Sequence, residues 1–306
     1  MSAGVGDDPV QSESGGVGAP DAAGTAQPAS GTRRRHRRRR SRLVVGLGVA
    51  VLIGLLSLAA LVVRGRPPAP RSVDEAIESY RARPAGIAPV GREVELPVFG
   101  VYTAVGDGRE RLSFQATEQR MGPIMPVTVS PSDPGCFEVR VDYHANHWQT
   151  WNYCWRDGTL LDTGGRVFQR FDLVVAAPES LSTSTCDPAV VLRPQMEPGD
   201  EWTQSCVIQT PGMGSSSTSG PHRSLGDELL RVGGEDVLTR HVRDERTYSG
   251  AQSGTGRVDL WLDAGTGLPV RSEWDLQIES PSPLGTIGYR ESGHWTLDSR
   301  APRTDR

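Results

Sequence analysis

The run from Leu43 to Val63, LVVGLGVAVLIGLLSLAALVV, holds 21 residues without a charge. A helix rises about 1.5 Å per residue, so this run would span roughly 31 Å. That matches a bilayer hydrocarbon core of about 30 Å. Helices buried in soluble domains rarely reach this length without a polar break. Arg33, Arg34, Arg35, Arg37, Arg38, Arg39, Arg40 and Arg42 precede the run, and only Arg64 and Arg66 follow closely. The positive-inside rule then puts the N-terminus in the cytoplasm and residues 64–306 outside. A cleaved signal peptide is the competing reading, but its apolar region is typically about 7–15 residues. The longer run and its 42-residue leader favour a retained anchor. Gly46, Ala50 and Gly54 fall on one face of that helix. Such spacing suits close approach of two membrane helices, hence a homodimer, although Gly and Ala are common in any membrane helix.

The charge divides at the same place. Residues 1–63 carry eight arginines against Asp7, Asp8, Glu13 and Asp21, a net +4. The rest carries 25 arginines against 33 acids, a net −8. An acidic outer domain argues against nucleic acid as a partner. The arginine run itself suits anionic lipid at the cytoplasmic surface. Every basic residue is arginine, which points to a GC-rich bacterial coding sequence. The lack of lysine excludes P-loop, kinase and Ser-x-x-Lys chemistry. Nothing in the sequence calls for a cofactor.

Residues 1–32 have few large apolar side chains, too few to offset ordering entropy, so they are expected to be disordered. With the arginine run they make a tail over residues 1–42. Residues 64–94 read as a stalk. Within it Ser72 can cap a short helix, SVDEAIESYRAR, whose apolar face is Val73, Ala76, Ile77 and Tyr80. This helix either stands in the stalk or packs on the domain.

From residue 95 to 300 the pattern is one of strands and turns, with a short disordered end at 301–306. Phe137-Glu-Val-Arg-Val-Asp-Tyr143 alternates strictly, and Trp148–Trp155 returns after a turn at His144-Ala145-Asn146. Turns are expected at Asp107-Gly108, Gly164-Gly165, Pro198-Gly199-Asp200, Gly233-Gly234 and Ala264–Gly267. Residues 212–221, GMGSSSTSGP, read as a flexible loop. The fold class is mainly β: a curved antiparallel sheet or half-barrel outside the membrane.

Cys136, Cys154, Cys186 and Cys206 all lie beyond the anchor, where an oxidising exterior favours disulfides. Cys136 and Cys154 are equidistant from the centre of the His144–Asn146 turn, so a hairpin places them opposite each other. Cys186 and Cys206 then pair by elimination. Zinc is the alternative, but no C-x-x-C spacing is present.

Candidate chemistry is sparse. His144 and His147 invite a metal, but their spacing reads as opposite strand faces or a polar turn. Ser215, Ser216 and Ser217 with His222, His241 and Asp244 could be assembled into a triad, but no nucleophile elbow is matched. Trp148, Trp151, Trp202, Trp261 and Trp274 suit a sheet core, or the lining of an apolar ligand cavity.

The stretch Val258-Asp-Leu-Trp-Leu-Asp-Ala-Gly-Thr-Gly-Leu-Pro-Val-Arg271 resembles the paired strands of bacterial lipoprotein-carrier half-barrels (the LolA and LppX type). That resemblance implies a sheet curved around an apolar groove for acyl chains. Phe99-Gly-Val-Tyr102 and the Cys136–Trp155 region look like membrane-anchored exported proteins of actinobacteria, which carry no assigned activity. The leading expectation is a non-enzymatic envelope module that binds an apolar ligand, a lipid or a protein partner. An envelope hydrolase and a structural or assembly factor are the alternatives.

Overall fold

The computed structural model describes residues 53–54, 67–83, 95–115, 118–173, 177–282 and 285–303, without the side chains of residues 188 and 189. The expected tail, the arginine run from Arg33 to Arg42 and the apolar run 43–63 fall outside these residues, apart from helical, exposed Ile53 and Gly54. Among the described residues no helix is long and apolar enough to cross a membrane.

Helix α1 spans Val73–Arg81. Its start is fixed by a capping box: the Ser72 hydroxyl accepts from the Glu75 N–H at 3.2 Å, and the Glu75 carboxylate accepts from the Ser72 N–H at 3.0 Å. Such a cap is worth about 1 kcal/mol. The face Val73, Ala76 and Tyr80 packs on Val101 of the sheet. The helix therefore lies on the domain, which explains why Val101, Tyr102, Thr103 and Ala104 are all buried although they alternate between sheet faces.

The strands are β1 Gly100–Leu112, β2 Gln119–Met121, β3 Ile124–Pro131, β4 Cys136–His144, β5 His147–Arg156, β6 Thr159–Arg170, β7 Glu179–Leu192, β8 Glu201–Thr210, β9 Gly214–Val232, β10 Glu235–Gly250, β11 Ser253–Asp263, β12 Pro269–Ser282 and β13 Gly285–Leu297. Every neighbouring pair is antiparallel. β2 and β3 pair with β1 in a single register, Gly108↔Met121 and Val105↔Ile124, so they form one side of the wall interrupted at Gly122-Pro123.

The half-barrel expectation is corrected. β13 pairs with β1 from Ala104↔Leu297 to Leu112↔Tyr289, so the meander closes into a twelve-stranded barrel. Closure satisfies the two rows of backbone groups that an open sheet leaves unpaired.

Three expected breaks are also corrected. Asp107-Gly108 lies inside β1, and Gly164-Gly165 inside β6. A Cβ on Gly165 would sit 1.9 Å from the Thr150 carbonyl oxygen, so this glycine permits close strand approach rather than a turn. Residues 214–221 belong to β9, the longest strand. Its Ser216 and Thr218 are buried at 5% and 3% exposure, and the Ser217 and Ser249 hydroxyls meet across the strands at 2.8 Å. No apolar alternation marks residues 214–221 because the side chains buried there, Ser216 and Thr218, are hydroxyls.

Both disulfides are present, Cys136–Cys154 and Cys186–Cys206, each between directly paired residues. The interior is graded along its length. Tyr102, Met125, Phe137, Val139, Leu160, Leu192 and Leu262 form an apolar core toward the start of β1. Farther along, charged and hydroxyl groups are interleaved with Tyr143, Val242 and Trp274, and these polar groups define the site.

Candidate functional site

Three buried groups converge at the polar end. Glu110 comes from the end of β1, His144 closes β4 and His147 opens β5. The two histidines are a cross-strand pair on either side of the turn Ala145-Asn146. The spacing of three therefore brings both rings to one carboxylate instead of leaving them in a polar turn. His144 Nε2 lies 3.0 Å from Glu110 Oε1, and His147 Nδ1 lies 3.1 Å from Glu110 Oε2; each side chain is 1–2% exposed.

The proton positions follow from the partners. The Asn146 N–H donates to His144 Nδ1 at 3.2 Å. His144 therefore carries its proton on Nε2 and donates it to Glu110. His147 differs: neither ring nitrogen has a hydrogen-bond partner, because Nδ1 is near the carboxylate but not aimed along an N–H···O line. The Tyr289 hydroxyl is 2.7 Å from both Glu110 Oε2 and Glu291 Oε2. One phenolic proton cannot serve two carboxylates. Burial pushes the Glu291 carboxyl up against the pull of His147, whereas Glu110 is held down, so Glu291 protonates more readily of the two.

Burial alone would raise the Glu110 carboxyl, but His147 and the His144 hydrogen bond outweigh it and hold Glu110 well below the usual carboxylate range. Burial alone would lower His147; Glu110, then Glu291, reverse this and raise it. Glu110, His144 and His147 thus present one carboxylate oxygen and two imidazole nitrogens within 4.8 Å of one another, a donor set able to hold a metal ion.

A second group surrounds an internal cavity of about 60 Å³. Asp162, His222, Asp244 and Arg246 line one side, and Tyr143, Trp274 and Glu291 also border it. Arg246 pairs with Asp244, and His222 Nε2 lies 3.3 Å from the other Asp244 oxygen. Burial, then Arg246, lowers His222 to about 3, so it is neutral at pH 7. Burial raises Asp162 to about 6, against the Gly164 N–H that donates to it at 2.8 Å.

Asp162 makes stability depend on pH. The folded state holds this proton up to about 6, whereas the ordinary carboxyl value is 3.8. Folding therefore loses stability as pH rises from about 4 to 6, by roughly 3 kcal/mol once Asp162 is ionised. His222 acts oppositely, gaining stability as pH rises from about 3 to 6.5. Asp162→Asn keeps an oxygen for the Gly164 N–H and removes the ionisation cost. We expect this variant to unfold at higher temperature than wild type at pH 8 and to match it near pH 4, read from melting curves across pH. Equal melting temperatures at pH 8 would overturn the assignment.

The triad candidates are not assembled around a serine. Ser215 accepts from Gln209, Ser216 accepts from the Gln252 N–H, and Ser217 bonds Ser249. His241 is paired with Asp259 at 2.9 Å. The five tryptophans separate. Trp151 and Trp274 line the internal cavity. Trp148 stacks on Phe168 with the Arg140 guanidinium 4.1 Å from its ring centre. Trp202 donates to the Val190 carbonyl at 2.7 Å. Trp261 stacks on His241 and donates to Glu228 at 2.7 Å. The Glu110 contribution had no local signal, since it lies 34 residues from His144. The histidine pair did have one: two residues flanking a two-residue hairpin turn face each other.

No family model matches the chain. No curated protein matches it either. Among solved structures it is similar to a hypothetical lipoprotein, YmcC from Escherichia coli, at 18% identity over 65% of this chain and 85% of that one, with a TM-score of 0.30. At that TM-score the likeness carries no inference about what this chain binds or does.

Proposed function

We propose that this chain is a non-enzymatic cell-envelope module. Residues 43–63 anchor it, the arginine tail lies on the cytoplasmic side against anionic lipid, and the barrel stands outside as a receptor for a small polar or ionic ligand. The apolar run and its arginine flank support the topology. The two disulfides support an oxidising compartment. The observation that carries the ligand class is the interior itself: about 60 Å³ of space that Asp162, Asp244, Arg246, His222 and Glu291 reach between aromatic and aliphatic walls such as Trp151, Val242, Leu260 and Trp274. Pockets for drug-sized apolar ligands run to about 300–1,000 Å³, and a cavity of 60 Å³ suits a few waters or an ion. An acyl chain does not fit there, so the lipid-groove form of the module is set aside.

Mass spectrometry of the full chain extracted from membranes tests this directly. The expected species keeps residues 1–42, carries both disulfides and holds no acyl lipid. A mature chain beginning near Ala60 would remove the anchor. A stoichiometric lipid would restore the carrier reading.

A further inference from the structure

We propose that Glu110, His144 and His147 form a binding site for one divalent transition metal of the zinc class. This rests on reading the barrel as a receptor for a small ionic ligand, and names that ligand. One carboxylate and two imidazoles are donors that zinc accepts. Tetrahedral ligands about 2.1 Å from a zinc ion stand roughly 3.4 Å from one another. The contacts to the carboxylate, 3.0 Å for His144 Nε2 to Oε1 and 3.1 Å for His147 Nδ1 to Oε2, and the 4.8 Å within which all three donors lie, bracket that spacing.

Two further observations point to an ion. His147 is 1% exposed, and its Nδ1 has only an off-line ion-pair contact with Glu110 at 3.1 Å, although buried polar atoms nearly always find a well-aimed partner. A metal at Nδ1 would give that nitrogen a directed bond. The Glu110 carboxylate is also already oriented from behind, by the Tyr289 hydroxyl at 2.7 Å and the Gln169 amide at 3.3 Å. This is the outer-shell support that metal ligands carry. A recess of about 280 Å³ adjoins the site, bordered by Glu110, Glu118, Asp275 and Glu291 together with Arg109, Arg111 and Arg290, so its charge is mixed and it adds no pull on a cation. Because the three ligands are 1–2% exposed, the ion would be structural, stored or sensed.

Binding has a specific local consequence. Coordination at His144 Nε2 requires the ring proton to move to Nδ1. The Asn146 N–H then faces an N–H instead of a lone pair, so the Ala145-Asn146 turn must shift.

The test uses the full chain in detergent, treated with chelator, desalted and titrated with Co²⁺. We expect one equivalent to give the visible absorption of a tetrahedral or five-coordinate cobalt site, which Zn²⁺ then bleaches. Amide NMR should show the Asn146 N–H moving on Zn²⁺ addition. His147→Gln and His144→Gln should each weaken binding by more than the roughly 10–100-fold that loss of an outer-shell partner costs, and His241→Gln should not change it. Wild-type protein with both disulfides and intact β circular dichroism that gains no cobalt absorption would overturn the site, whether or not either histidine variant folds. Binding that survives in both histidine variants would do the same. Neither result bears on the lipid measurement, so the metal site can fail while the receptor reading stands.

Discussion

Replacing Arg246 with methionine is expected to destabilise the barrel by about 3 kcal/mol, at the lower edge of the range for breaking a buried ion pair. Arg246 on β10 pairs with Asp244, and its charge also acts on Asp162. Those carboxylates are 2% and 8% exposed, and each is raised chiefly by burial, with Arg246 opposing. Methionine keeps most of the side-chain volume but leaves both acids without their cation. The lower figure applies because Arg246 keeps a quarter of its own surface free, toward the cavity and the recess it lines. The loss should be largest above pH 6 and small near pH 4, where both carboxyls can protonate. Adding Asp244→Asn and Asp162→Asn should recover most of it, because a neutral network no longer needs the guanidinium. Urea unfolding followed by tryptophan fluorescence, with disulfides intact, measures all of these. A loss below 1 kcal/mol at pH 8, or no recovery in the triple variant, would mean that the interior charges are solvated and uncoupled.

The sequence made the elements legible where one sheet face is apolar and the other polar. Phe137, Val139 and Val141 are fully buried, with Glu138 and Arg140 between them less so, and the period-two signal there located β4 and β5. The same register arithmetic paired Cys136 with Cys154. Where the barrel interior is itself polar, that signal disappears. β9 buries Ser216, Thr218 and His222, so its alternation is polar on both faces and reads as a loop. Glu110 was hidden for the same reason, because a buried polar residue has the composition of a surface one; His144 and His147 showed only as the flanks of a turn. Glycine was the second source of error. At Gly164-Gly165 and Asp107-Gly108 it marks the strands' close approach to their neighbours rather than a reversal.

Gly106→Val is expected to open the seam between β1 and β13, with a loss above about 4 kcal/mol, in the class of strong backbone overlap. A Cβ at Gly106 would lie 2.1 Å from the His294 carbonyl oxygen and 2.7 Å from the Trp295 Cα, both backbone atoms of the opposing strand. No rotamer change relieves such a contact, and β-branching adds bulk on the same carbon. The seam is glycine-lined elsewhere too: Gly108 pairs with Gly293, whose own Cβ would meet the Trp274 ring at 2.7 Å and the Gly108 Cα at 2.8 Å. These glycines separate a closed barrel from a half-barrel, since bulkier residues would hold the two edge strands apart. Hydrogen exchange should therefore show Gly106→Val losing protection at Val105–Leu112 and Tyr289–Leu297, while the β4–β5 hairpin, held by Cys136–Cys154, keeps its own. Glu110 and Glu291 face each other across that seam. Opening it would also admit solvent to the histidine cluster, and the variant should lose cobalt binding without any ligand having been touched. Full protection of β1 and β13 in Gly106→Val would show that the wall can bend around the added carbon, and that closure does not depend on glycine.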